Sequence, residues 1–86
     1  MQTIKVAVFD DNNPRRELLQ LLLNSSEGLT CTGAYEDCRN VVSNITANIP
    51  DVVLMDIDMP YVNGIEGLKL IRKHVPDVKV LMQTIF

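Results

Sequence analysis

The chain has 86 residues, 47% of them hydrophobic and 22% charged, with a formal net charge of −3. That is the size of one domain, and at this length only roughly 60–65% of the unfolded surface is buried, so stability is marginal. No basic stripe of the kind that tracks a phosphate backbone is present, which argues against direct nucleic-acid binding by this segment. No apolar stretch approaches the ~20 residues that span a bilayer, and the first residues, Met1-Gln2-Thr3-Ile4-Lys5, lack a signal-peptide layout.

In chain order, Ile4–Phe9 is a nearly continuous apolar run and reads as a buried strand. Asp11-Asn12-Asn13-Pro14 supplies a cap and a proline suited to the first helical turn. Leu18, Leu19, Leu21, Leu22 and Leu23 then form a wide apolar stripe, expected to be core, on a helix closed near Gly28. Leu29–Tyr35, with Thr30, Thr32 and Tyr35, reads as a second strand. Asp37 is expected to cap a second helix that runs to about Asn48 with Val41, Val42 and Ile45 inward, closed by Ile49-Pro50. Residues 52–55 form the third strand, and Asp56–Gly64 a loop marked by Pro60 and Asn63-Gly64. Ile65, Leu68, Ile71 and Val75 recur at helical spacing, with Lys69, Arg72, Lys73 and His74 late in that helix, where positive charge suits the dipole. Residues 78–82 form the fourth strand. The order βαβαβαβ implies an α/β fold, a parallel sheet with helices on both faces, in one domain over residues 1–86.

Cys31 and Cys38 have neither Cys-x-x-Cys spacing nor a partner histidine, so free thiols in a reducing compartment are expected. Asn24-Ser25-Ser26 and Asn44-Ile45-Thr46 match the glycosylation pattern by chance, given no secretory signal.

The chemistry lies at the ends of the strands. Asp10-Asp11 follows the first, Asp56 the third and Thr84 the fourth. In a doubly wound sheet of flavodoxin type, with strand order 2-1-3-4, Asp11 and Asp56 would face each other across one strand spacing of ~4.8 Å, with Thr84 one spacing further on. Carboxylates this close either raise a pKa or hold a cation. Oxygen-only ligands favour Mg²⁺, which keeps waters and bridges to phosphate. An aspartate neutralised in this way can attack phosphorus.

Asp10-Asp11 together with the block Asp56-Ile57-Asp58-Met59-Pro60-Tyr61-Val62-Asn63-Gly64, and Thr84 beyond it, resembles the receiver domain of two-component response regulators over the whole chain. The resemblance implies that Asp56 is the phosphoacceptor. It further implies that Asp11 contacts Mg²⁺ directly, Asp10 mainly through water and Asp58 through its backbone carbonyl, while Thr84 is the switch hydroxyl. The family also has a fifth strand carrying a lysine and a switch aromatic, followed by two further helices. The chain ends at Phe86 before these, so a C-terminally partial receiver is expected, with weakened phosphoacceptance and a tendency to form a homodimer or swapped oligomer.

The implied function is Mg²⁺-dependent phosphoryl transfer from a histidine kinase to Asp56, in the cytoplasm, controlling an output domain beyond this chain, of DNA-binding type by analogy. Two alternatives stand beside it. One is a phosphorylation-incompetent interaction module on the same fold. The other is a metal-dependent phosphatase with an aspartyl nucleophile, whose usual pair of acids two residues apart is not matched by Asp10-Asp11-Asn12. Asp10-Asp11 as a helix cap, Thr84 as an ordinary strand residue and His74 as a helix-end charge are the structural readings of the same residues.

Overall fold

The computed structural model describes residues 3–83. Four strands, β1 (Ile4–Phe9), β2 (Leu29–Tyr35), β3 (Val52–Asp56) and β4 (Lys79–Gln83), alternate with three helices, α1 (Asn13–Ser25), α2 (Val41–Ala47) and α3 (Gly64–His74). The strands form one parallel sheet in the order β2-β1-β3-β4, as the flavodoxin-type reading requires. Phe9 is level with Met55, and Asp56 with Gln83, so the ends of the three strands lie along one edge of the sheet.

Alternation along the strands divides the side chains between two faces. Ala7, Phe9, Val53 and Met55 turn to the face covered by α2 and α3 and join Cys38, Val41, Ile45, Met59, Ile71, Val75 and Val78 in the main core. Val6 and Val8 alternate to the other face, where α1 packs on β1 and β2. Phe9 is fully buried and stacks on Tyr35 at 4.9 Å between ring centroids.

Three expectations need correction. The leucines of α1 are not core: Leu18, Leu21 and Leu22 are 53%, 65% and 52% exposed, and no α1 residue is fully buried. Leucines at 18, 19, 21, 22 and 23 cover more than half the circumference of a helix. Only one side of α1 meets the sheet, and that side carries Arg15, Leu19 and Leu23 at i, i+4 spacing, all half-buried. Asp37 does not cap α2. The helix starts later, after Asn40, and the Asp37 carboxylate instead accepts from the Arg39 backbone N–H at 3.0 Å and side-chain Nε at 3.1 Å. That local turn outcompetes the helix for the polar backbone groups.

In α3 the expected stripe holds at Ile71 and Val75, both buried, but in the first turns the buried positions are Gly64 and Gly67, while Ile65 is half-exposed and Leu68 half-buried. The cause is close approach. A Cβ at Gly67 would lie 2.7 Å from the Cys38 sulfur, and one at Gly64 would overlap the Asp56 carbonyl. The two glycines let α3 settle against the end of β3, where larger side chains would hold it off.

Both cysteines are free thiols, as expected. Burial, together with the Asp37 charge, pushes the Cys38 thiol up to about 12, so it is inert packing.

Candidate functional site

The site begins where β1 ends. Asp10 immediately follows the strand and is fully buried; its backbone N–H donates to the Tyr35 carbonyl at 2.9 Å. Asn12 caps α1, its side-chain oxygen accepting from the Arg15 backbone N–H at 3.0 Å, and Pro14 sits in the first turn. The cap is Asn12 rather than Asp11, so the Asp11 side chain is exposed and is not tied up as the cap. Across the sheet, Asp56 closes β3 and is only 4% exposed. The loop after it is shaped by Asn63, which caps α3 by accepting from the Glu66 N–H at 3.0 Å, and by the Gly64 N–H, which donates to the Ile57 carbonyl at 3.0 Å. Tyr61 in that loop takes a left-handed φ of 66°, and the Arg39 guanidinium lies 4.0 Å above its ring.

Carboxylate oxygens of Asp10, Asp11 and Asp56 lie within 4.8 Å of one another. The three acids that the sequence singled out therefore meet. Asp11 and Asp56 line a cleft of about 480 Å³ together with Asn12, Arg15 and Asp58, while Asp10 is buried behind it. Asp58 is on the rim: its carboxylate is exposed and outside the acidic trio, and its backbone N–H donates to Asp56 at 3.3 Å. Thr84 lies outside the described residues.

One functional side chain was missed by the sequence reading. Arg15 pairs with Asp10 through Nε and, at 2.7 Å, through its terminal nitrogen, and it reaches Asp56 at 3.2 Å. A signal was available: Arg15 and Arg16 stand in the first turn of a helix, where the dipole disfavours positive charge unless acids compensate it. Arg16 spans the same turn, donating to the Asp10 carbonyl at 2.8 Å.

Burial raises the Asp56 pKa above the usual carboxylate value. The Asp58 N–H and Arg15 oppose this, while Asp10 and Asp11 add to it. A buried carboxylate held uneasily in its charged form, at the mouth of an acidic cleft, is poised either to take a cation or to be covalently neutralised. The donor set fits a hard divalent cation. It is all oxygen, three ligands converge, and the cleft leaves room for water.

Comparison with known proteins decides the family. The description "Response regulator receiver domain" matches residues 6–86. The chain belongs to the response regulator receiver family. Its relatives include the transcriptional regulatory protein LnrK of Bacillus subtilis, 42% identical over 83 residues covering 96% of this chain and 38% of that protein. A protein-glutamate methylesterase/protein-glutamine glutaminase 2 of Burkholderia thailandensis is 39% identical over 94% of this chain and 23% of its own length. Among solved structures, the response regulator domain of Thermotoga maritima CheB superposes with a TM-score of 0.89 at 36% identity, over 96% of this chain and 61% of that one. The receiver domain of the response regulator NarL from Mycobacterium tuberculosis gives 0.88 at 27% identity, over 98% and 68%. The chain thus spans well under half the length of these curated relatives, and about two thirds of the two receiver structures.

Proposed function

We propose that this receiver accepts a phosphoryl group on Asp56 in a Mg²⁺-dependent reaction with a histidine kinase as donor. The observation that carries the reading is the convergence of Asp10, Asp11 and Asp56 within 4.8 Å of one another, with Asp11 and Asp56 lining an open cleft. A bound Mg²⁺ would compensate charge between the acids and the incoming phosphoryl oxygens. The residues do the rest. Asp11 would hold the cation directly and Asp10 mainly through water, and the Asp58 N–H orients the Asp56 carboxylate. An oxygen of Asp56 attacks phosphorus; the O–P bond forms as the bond to the donor's leaving atom breaks, and the electron pair leaves with the donor. Asp58 on the rim and Thr84 beyond β4 complete the proposed set, through a carbonyl and a hydroxyl respectively.

The test is intact mass after incubation with Mg²⁺ and acetyl phosphate. The expected result is a gain of one phosphoryl group that EDTA abolishes. No gain would overturn phosphoacceptance by this chain and leave the fold as an interaction module.

The surroundings follow from the relatives. Transcriptional regulators and methylesterases carry this domain within much longer chains, which supports an output domain, DNA-binding in the transcriptional case, as the recipient of the signal. A cytoplasmic location fits a kinase-coupled module, and among the described residues no helix is long and apolar enough to cross a membrane.

Self-association belongs to the same proposal. Leu18, Leu21 and Leu22 present an exposed apolar face on α1, and β4 is an edge strand among the described residues. The 86-residue chain is expected to show a concentration-dependent dimer in light scattering. A monomer mass across a hundredfold range of concentration would remove this part of the reading.

A further inference from the structure

We propose that Arg15 is a built-in competitor for the divalent-cation site, a tethered counter-ion that the metal must displace and that therefore sets the metal affinity of this receiver. The inference rests on the metal-binding part of the function proposed above. It starts from the hydrogen bonds of the acidic pair. Both oxygens of Asp10 are engaged: Oδ1 accepts from the Asn12 backbone N–H at 2.9 Å and from an Arg15 terminal nitrogen at 2.7 Å, and Oδ2 accepts from Arg15 Nε. The same terminal nitrogen reaches Asp56 Oδ2 at 3.2 Å. The guanidinium thus bridges the two buried acids of the trio, while its three contacts leave exposed Asp11 out.

A dication drawn to the same oxygens meets a cation already on them. Both cannot hold the same oxygens of Asp10 and Asp56 together, because two cations sharing those oxygens would sit within a few ångströms of each other and repel. Either Arg15 leaves or the metal binds weakly.

The structure provides for departure. The Arg15 side chain is 28% exposed and lies on the lining of the open cleft, so solvent is next to it. Its backbone is secured independently, by the N–H donated to the Asn12 cap, so α1 does not need the guanidinium in place to keep its first turn. In the metal-free state the side chain compensates two acids that would otherwise face each other unpaired, and it offsets its own unfavourable position at the helix start. Arg15 is thus a positioning residue: it stabilises the empty pocket and raises the threshold for filling it.

The test is isothermal titration of Mg²⁺ into the 86-residue chain and into Arg15→Met, which keeps the stem and removes the charge. Charge-assisted hydrogen bonds of this kind are strong enough that Arg15→Met is expected to bind Mg²⁺ about tenfold or more tightly. It should also melt lower than the parent in metal-free buffer and show a larger Mg²⁺-induced rise in melting temperature. Arg15→Lys, a point charge without the planar fork, is expected to fall between the two.

The parent chain gives an independent readout: the Arg15 Nε–H resonance should shift as Mg²⁺ saturates the site. If Arg15→Met folds only when Mg²⁺ is present, that outcome supports the inference as well. Equal or weaker Mg²⁺ binding by folded Arg15→Met overturns it, as does an Arg15 Nε–H signal unmoved at saturation. In both cases the metal reading survives, since binding itself was observed. Absence of Mg²⁺ binding in every form, parent and variants, overturns the metal reading and this inference together.

Discussion

Asp56→Asn is expected to lose all phosphoryl gain from acetyl phosphate and, in metal-free buffer at neutral pH, to be more stable than the parent. The first effect follows from chemistry: an amide offers no anionic oxygen to attack phosphorus. The second follows from the raised Asp56 pKa, whose first cause is burial. A carboxyl group whose folded pKa lies above its unfolded value binds protons more readily when folded. Its ionisation therefore costs stability as pH rises from the unfolded value of 3.8 through the folded one, and the whole cost is present above that window. Asparagine keeps an oxygen for the Asp58 N–H and removes the charge, while Arg15 retains Asp10.

The stability difference between variant and parent should accordingly grow with pH across that window and level off above it. Asp37 has the opposite sense, held down by the Arg39 side chain and N–H, so its contribution is lost on acidification; it is common to both proteins and cancels in the difference. Mg²⁺ should reverse the ranking, because a ligand at ten times its Kd adds about 1.4 kcal/mol to whichever form binds it. Urea titrations at several pH values, with and without Mg²⁺, read all of this. A variant less stable than the parent at neutral pH without metal would show that Arg15 overcompensates the burial of Asp56.

Phe9→Ala is expected to unfold the chain or come close to it. Phe9 is fully buried on β1, a strand paired on both sides, and stacks on Tyr35 while facing the α2 and α3 core. Truncations of this kind cost about 3–5 kcal/mol. A domain this small sits near the lower end of the usual range of about 5–15 kcal/mol. Far-UV circular dichroism through a urea titration should show the midpoint fall to near zero denaturant. A cost below about 1 kcal/mol would mean that the site collapses around the smaller side chain or that the core is centred elsewhere. Because Asp10 directly follows Phe9, loss of this anchor should also release the acidic pair, so Mg²⁺ binding and stability are expected to fail together.

Much of the fold was legible because strand signals are local. Ile4–Phe9 and Leu29–Tyr35 stand where their apolar and β-branched runs put them, and β3 and β4 differ from expectation by about one residue. The acidic trio was legible for the same reason: each acid follows a strand, and parallel strands in one sheet end on the same edge. That much the amino-acid sequence determined by itself, as residue type against period.

Tertiary structure alone decided which residues face what. Five leucines on α1 look equivalent in sequence, yet only Leu19 and Leu23 meet the sheet, since one helix can present only one side to it. Asp37 has the composition of a cap but turns onto Arg39, because two nearby donors offer a local bond before α2 begins. At the start of α3 the buried positions are Gly64 and Gly67 instead of Ile65 and Leu68, because the helix approaches β3 more closely there than any side chain permits. Arg15 has no assignment in the sequence, and its place in the site is set only when Asp56, 41 positions away in the chain, is brought beside Asp10. Asp10 is a local partner, but the second, Asp56, is chosen by the pairing of β1 with β3, a contact between distant segments that no local pattern encodes.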